Sequence, residues 1–301
     1  MIKVKKITIH ERDNVEVCID GELSGHKIAK RDIKKGENVV KYGIVAPEDM
    51  DKVQDTIVLK LEDHGYLSKT DLLILDMICN YEWERPIYFL QQGGDVNIGI
   101  KEYLQYDGYA YKFVPFATKV SAGDITSQVD PRLYDRIMNT YKWESFADTT
   151  MHVDYQNLLT FNNLCSPREI MTNCAKWLVS KGEIQKAVEV LDKMQSVMPV
   201  SAFPLNTSVI SSLTERTVMD AISIYVAVGE IGKAEKLADE FVLECEEAIA
   251  LFGTEYMGGY LSSDDLQRNL YYIYMVADIF EKNNQSELSK KYADMVNSYL
   301  Q

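Results

Sequence analysis

One hexapeptide pattern, Gly-Glu-Ile-x-Lys-Ala, occurs twice in this chain, at Gly182–Ala187 and at Gly229–Ala234, each time between two amphipathic stretches. Glycine reaches the left-handed conformation that ends a helix without steric cost. Each copy therefore predicts a helix, a tight reversal and a second helix. Ile184 and Ile231 are expected to pack into the corner. Ala187 and Ala234 are small, which lets the two helices approach closely. A third, weaker copy runs over Leu270–Tyr299, with Asn283-Asn284 at the turn, Leu288 in the alanine position, and Tyr292 and Met295 following.

These copies resemble the tetratricopeptide repeat, and Pro199 stands where that repeat ends its second helix. The first two turns lie 47 residues apart, against about 34 in a tight array. The extra length falls around Val200–Thr214 and Glu247–Asp264, so stacked but divergent helix pairs are expected.

The first 45 residues read differently. Ile7–Ile9, Val15–Ile19 and Asn38–Tyr42 are short and rich in β-branched residues, and Gly21, Gly36 and Gly43 punctuate them. Residues 46–120 look mixed. Pro47 marks a helix start, and Thr56–Leu61 fits a strand. Ser68 or Thr70 suits the cap of a helix running to about Asn80. Arg85–Leu90 and Tyr109–Phe116 read as strands flanking a short helix near Ile98–Gln105, in a sheet of three or so strands. The fold class is α+β: a small N-terminal β-clip-like segment over 1–45, a mixed α/β module over 46–120, and tetratricopeptide-like α-helical repeats over 121–301, with the last boundary near Ser121-Ala-Gly-Asp.

Acidic residues outnumber basic ones 46 to 32, a net charge of -14. Such a surface repels phosphate backbones and anionic lipid, so no nucleic-acid partner is expected. The basic run Lys27–Lys41 reads as a solvated face. No apolar stretch approaches the roughly 20 residues of a membrane span. The basic Met1–Lys6 has no apolar core after it, so the chain as given reads as cytoplasmic. The five cysteines form no Cys-x-x-Cys pair, which speaks against a disulfide framework or a structural zinc site.

No metal and no cofactor is expected. None of His10, His26, His64 and His152 lies four residues from another, and no dinucleotide, P-loop or nucleophile-elbow motif is present. His10 and His26, with Asp13, could meet across a small β domain. The paired carboxylates Glu246-Glu247, Asp264-Asp265 and Asp130 with Asp135 read as solvated. Ten aromatic residues cluster between Tyr81 and Phe116, and one face of that cluster is a candidate for sugar or peptide stacking.

Two family resemblances bear on function. Ile9-His10-Glu-Arg-Asp13-Asn14-Val15, then Gly25-His26-Lys27-Ile28-Ala29-Lys30-Arg31-Asp32-Ile33-Lys34-Lys35-Gly36-Glu37, then Val40-Lys41-Tyr42-Gly43, within residues 6–43, resemble the SAF-type N-terminal domain of altronate/galactarate dehydratases. That resemblance implies a sugar-acid site at Asp13, Asn14, Gly25, His26 and Lys27. Ser68–Ile78, Trp83–Phe89 and Glu102–Pro115 resemble the soluble C-terminal region of a bacterial multi-pass membrane family related to protein O-mannosyltransferases, which also ends in tetratricopeptide-like helices. That resemblance implies an extracytoplasmic location for residues 44–301. The preferred expectation is a non-catalytic binding protein whose helical repeats dock a peptide or protein partner through Asn173, Lys176, Tyr225 and Asn269. The alternatives are a sugar-acid-binding component of a dehydratase, or a sugar-binding accessory region beside a glycosyltransferase.

Overall fold

The computed structural model describes residues 4–9, 14–19, 22–27, 37–54, 57–60, 68–79, 81, 83–90, 99–118, 128–148, 150, 158–207, 213–252 and 263–299. The chain divides into two compact units, Met1–Leu133 and Tyr134–Gln301. The first is a β-rich mixed unit and the second is helical, as an α+β chain requires.

In the first unit, β1 (Val4–Ile9), β2 (Asn14–Ile19) and β3 (Glu22–Lys27) form an antiparallel meander. β4 (Ile57–Lys60) pairs antiparallel with the free side of β1, giving the order β3-β2-β1-β4. A second sheet has the order β5-β7-β6, from Tyr88–Phe89, Leu104–Tyr106 and Tyr111–Phe113. The strand at 57–60 thus joins the N-terminal sheet and not the three-stranded one expected after residue 46.

Asn38–Tyr42, expected as a strand, is instead the helical turn α1 (Glu37–Lys41). Gly43 explains the difference, because it sits at φ +69°. Its N–H donates to the Val40 carbonyl, and the Ile44 N–H donates to that of Val39. These are the two bonds of a left-handed helix terminator, with Val39 and Ile44 buried together. α2 (Lys69–Cys79) starts at Ser68, whose Oγ accepts the Asp71 N–H at 3.1 Å while Asp71 accepts the Ser68 N–H at 2.7 Å. Ile98–Gln105 splits into a 3-10 turn, Ile100–Tyr103, and β6. The core gathers Val39, Ile44, Leu75, Trp83, Ile100 and Phe113, with the Trp83 and Phe113 rings stacked at 5.5 Å.

The second unit opens within α3 (Leu133–Asp135), which runs into a single π-turn over Arg136–Thr140. Three helical hairpins come next: α4 (Leu158–Ser180) with α5 (Ile184–Val197), α6 (Leu213–Ala227) with α7 (Ile231–Phe252), and α8 (Ser263–Lys282) with α9 (Ser286–Tyr299). α4 packs on α5 and α6, α6 on α7 and α8, and α8 on α7 and α9. The first helices of the hairpins, α4, α6 and α8, therefore form one layer.

The turns close identically. Gly182, Gly229 and Asn284 take φ of 77°, 86° and 60°. Glu183, Glu230 and Gln285 each donate to a carbonyl five residues back, at Leu178, Tyr225 and Phe280. Asparagine tolerates the left-handed conformation better than other residues with a side chain, so it replaces glycine in the third turn. Counting five residues from each of these positions gives Ala187, Ala234 and Ser289, all buried. The third copy thus keeps a small residue at the close approach, and Leu288, half-buried one position earlier, is not that residue. Nor does Ile184 fill its corner, being 39% exposed.

Candidate functional site

The layer of first helices offers the candidate interaction face. Glu169, Asn173 and Lys176 on α4, and Asp220 and Ser223 on α6, are half-buried, while Arg216 is exposed. Lys176 Nζ pairs with Asp220 Oδ2 from one helix to the next. Burial pushes the Glu169 carboxyl up, against the pull of Arg216 and Lys176. On α8 the face continues with Tyr271, and Tyr274 stands open beside it, each 55% exposed. The arrangement can hydrogen-bond, pair charge and stack rings.

Of the four helical residues singled out from sequence, Asn173 and Lys176 lie on this face. Tyr225 and Asn269 do not. Both are buried, because their helical phase aligns them with the inward stripes Ala221–Ile222 and Tyr272–Ile273. The Tyr225 hydroxyl donates to Asp192 Oδ1 at 3.0 Å, and burial next to that carboxylate raises the phenol well above its ordinary pKa. Asn269 Oδ1 accepts from Asn206 Nδ2 at 2.7 Å.

Asp192 belongs to a repeated device. It lies ten residues after Gly182, and it receives both the Tyr225 hydroxyl and Lys233 Nζ, the latter at 2.7 Å. Asp239, ten residues after Gly229, receives the Tyr292 hydroxyl at 2.8 Å and Lys291 Nζ at 2.7 Å. Each of these aspartates is gripped by a tyrosine and a lysine of the following hairpin. The groove of about 260 Å³ between α5 and α7, lined by Asp192, Tyr225, Lys233 and Leu237, lies over the first grip.

The segment between hairpins, read from sequence only as extra length, ties all three together. Arg168 on α4, 2% exposed, donates to the carbonyls of Phe203 and Pro204 at 2.8 and 3.0 Å. Glu244 on α7 accepts the N–H groups of Leu205 and Asn206 at 2.8 and 2.7 Å. Glu215 on α6, wholly buried, accepts the Thr207 N–H. Phe203, Leu205 and Thr207 point inward while Pro204 and Asn206 are half-exposed, the alternation of an extended strand. Burial raises the Glu215 and Glu244 carboxyls. No local pattern marks Arg168 or Glu215 in the sequence, since their partners are backbone groups of a segment that tertiary folding brings across.

In the first unit, Lys112 on β7 and Asp130 are wholly buried and joined by an ion pair. Arg132 grips the same carboxylate through Nε at 2.9 Å and Nη2 at 2.8 Å, and it also donates to the Gly43 carbonyl at 3.1 Å. Burial pushes Asp130 up, but the Arg132 hydrogen bonds and the Lys112 charge outweigh it and hold the carboxyl below its usual range. Burial lowers Lys112. Asp130 is therefore no solvated carboxylate, contrary to the sequence reading. Nearby on the same sheet, Gln105 Nε2 donates to the buried Asp49 at 2.8 Å and the Tyr88 hydroxyl donates to Asp107 at 3.0 Å.

This polar cluster lies within the stretch that has a known counterpart. Residues 30–133 match the family described as TMEM260-associated domain 2. The match agrees with the resemblance of residues after 44 to a membrane-protein-associated family, as far as residue 133. It spans α1, both ends of the Gly43–Arg132 contact and the Lys112–Asp130 pair, and it stops before the helical hairpins. No curated protein and no solved structure matches the chain. Among the described residues no helix is long and apolar enough to cross a membrane.

The sugar-acid positions implied by the SAF-type resemblance are placed only in part, and the family match lends that resemblance no support. Asp13 lies outside the described residues. Asn14 stands opposite Lys27 in the β2–β3 ladder, with Val15 opposite His26 and Glu16 opposite Gly25. Among the described residues, no group of three or more His, Cys, Asp or Glu could hold a metal ion. Cys165, Cys174 and Cys245 are free and buried, and burial raises each thiol, to about 12 for Cys174. None has the electropositive, accessible setting of a reactive thiolate.

Proposed function

We propose that the helical unit is a non-catalytic platform that binds a peptide or protein partner along the layer of α4, α6 and α8. What supports the reading is the shared closure of the three hairpins. It sets those helices in common register, with Asn173, Lys176, Asp220 and Tyr271 on one accessible face. Among the described residues, the buried Arg168, Glu215 and Tyr225 bond to the unit's own chain, as in a scaffold. The test is a peptide-display selection on the full chain, followed by affinity measurement of the enriched sequence. Asn173→Ala with Lys176→Ala should weaken that peptide by about tenfold, the loss of one or two charge-assisted hydrogen bonds. A selection that enriches nothing above background would end the reading.

A second reading is that the chain forms the soluble part of a glycosyltransferase-like membrane assembly. It is favoured by the match of residues 30–133 to a TMEM260-associated domain. Trp83 is too buried to report on glycan binding, whereas Tyr88 and Tyr109 are about half exposed. Chemical-shift changes confined to these two tyrosines on addition of mannose-containing oligosaccharide would support this reading. Unchanged shifts at millimolar glycan would count against it.

A further inference from the structure

The exposed side of α8 forms one continuous stripe. Asp264, Gln267, Tyr271, Tyr274, Asp278 and Glu281 follow one another at spacings of three and four residues, which is one face of a helix. Asp278 is half-buried and the other five are exposed. The inward faces of the same helix hold Asn269, Tyr272, Ile273, Val276 and Phe280, all buried. Two tyrosines thus stand open at the middle of the helix, with carboxylates toward both ends. No lysine or arginine lies on the stripe. Lys282, beside it, pairs with Asp278 at 2.6 Å.

The corresponding stripes of the other two first helices are less open: Glu169, Lys176 and Val179 on α4 and Met219 and Ser223 on α6 are half-buried, and only Arg216 is exposed among the described residues. Thr172 and Val226, equivalent to Tyr274 and Glu281 by distance from the turn residue, are buried. Hairpin three packs on hairpin two and on no other described hairpin, and its two helices differ in what they expose. α9 is made polar: Asn297 is exposed where α7 buries Val242, and Lys290 is exposed where α5 buries Val188. Such polar substitution suits a helix face that meets water. α8 keeps its two tyrosines open. Solvation alone would give a polar α8 as well, so the aromatic pair calls for a different account.

We propose that the α8 stripe is the docking site for a basic segment of a partner protein, with arginine or lysine side chains over Tyr271 and Tyr274 and against Asp264, Asp278 and Glu281. This rests on the platform reading above and names the partner class. The charge of the unit fits it: Tyr134–Gln301 holds 24 acidic and 14 basic residues. Cations stack favourably on tyrosine faces. Acidic groups around the rings speed encounter with a positive partner and penalise an acidic one. A partner cation can take the place of Lys282 on Asp278 with no loss of pairing.

The probe is a fluorescein-labelled 15-residue peptide with arginine at every third or fourth position, titrated into the full chain and read by anisotropy. A peptide of the same composition, with its arginines bunched at one end, is the comparison. Tyr271→Ser with Tyr274→Ser leaves the charge unchanged, and it should weaken the spaced peptide by about tenfold through the loss of two cation–π contacts. Asp278→Asn with Glu281→Gln should weaken it and flatten its salt dependence. Glu240→Gln with Glu247→Gln on α7 removes the same charge elsewhere and should change affinity by no more than about twofold. The substituted side chains are exposed or half-buried, and circular dichroism checks that each variant is folded. Equal losses in the α7 and α8 carboxylate variants, no saturable binding, or no preference for the spaced peptide would overturn the proposal. So would light scattering that shows a dimer dissolved by the tyrosine variants, because the stripe would then cover a second copy. If selected peptides depend on Asn173 and Lys176 while the stripe variants leave the basic peptide unaffected, only this proposal fails. If nothing is selected and nothing binds, the platform reading fails with it.

Discussion

The two units use an aspartate gripped by a cation in opposite settings. In the first unit, Asp130 is wholly buried with Lys112, and Arg132 closes over them. In the helical unit, the Asp192 and Asp239 side chains are 47% and 48% exposed while they hold Lys233 and Lys291. The donor chemistry is nearly the same, and water access sets the stakes. Desolvating a charge costs several kcal/mol, so the buried pair is tolerated only while complete. An exposed pair gains little, because water competes with it at every moment. The first arrangement fixes one geometry for the sheet, α1 and the 128–133 segment. The second adjusts how neighbouring hairpins sit.

Breaking the buried pair should have the largest effect. Asp130→Ala leaves Lys112 inside without its ion-pair partner and should cost the first unit about 3–5 kcal/mol in urea unfolding. Acid should act in the same direction. The Asp130 carboxyl is held below its usual range, so its contribution is present above the ordinary aspartate pKa and lost as pH falls through the depressed one. Melting curves that follow the ordinary aspartate range would contradict the buried geometry.

The next effect concerns the close approach within hairpin three. Ser289→Leu should destabilise the helical unit by about 1–3 kcal/mol through overpacking, whereas Leu288→Ala should cost less. The reverse order would restore the register expected from sequence. Smaller again is the cost of a side chain at the turns. A Cβ at Gly182 or Gly229 meets no atom within 4 Å, so alanine there carries only the backbone cost of its positive φ, roughly 1 kcal/mol each. A larger loss would mean that the turns do more than reverse the chain. The smallest effect is expected of the exposed grips. Asp192→Ala or Asp239→Ala should cost about 0.2–1 kcal/mol, and the loss should fade with added salt, unlike that of Asp130→Ala. Equal costs at the three aspartates would erase the contrast.

The hairpins were legible because their cause is local. A glycine five residues before a small residue, between apolar stripes, defines a reversal and a close approach within one stretch of chain. The third copy was legible only to within one residue, since asparagine and serine stand where glycine and alanine mark the pattern. The stripe on α8 and the half-exposed Asn173 and Lys176 follow from helical periodicity, but phase errors of about 100° put Tyr225 and Asn269 on the wrong side. The strand expected at 38–42 failed on Gly43. A glycine after β-branched residues ends a strand or a helix equally well, and burial of Val39 with Ile44 favoured the helix.

By itself the sequence determined the periodicities: short β segments first, helical pairs after, the two glycine reversals and an acidic surface. It could do so because backbone conformation at a glycine and the phase of an apolar stripe are set by neighbours within a few residues. The tertiary structure alone decided that Asp130 is buried against Lys112, that 57–60 joins the first sheet, and that Arg168, Glu215 and Glu244 hold the backbone of 203–207. Those outcomes depend on groups dozens of positions apart in the chain. Whether a carboxylate is solvated or gripped is settled by what the fold brings against it, and no short-range pattern encodes that.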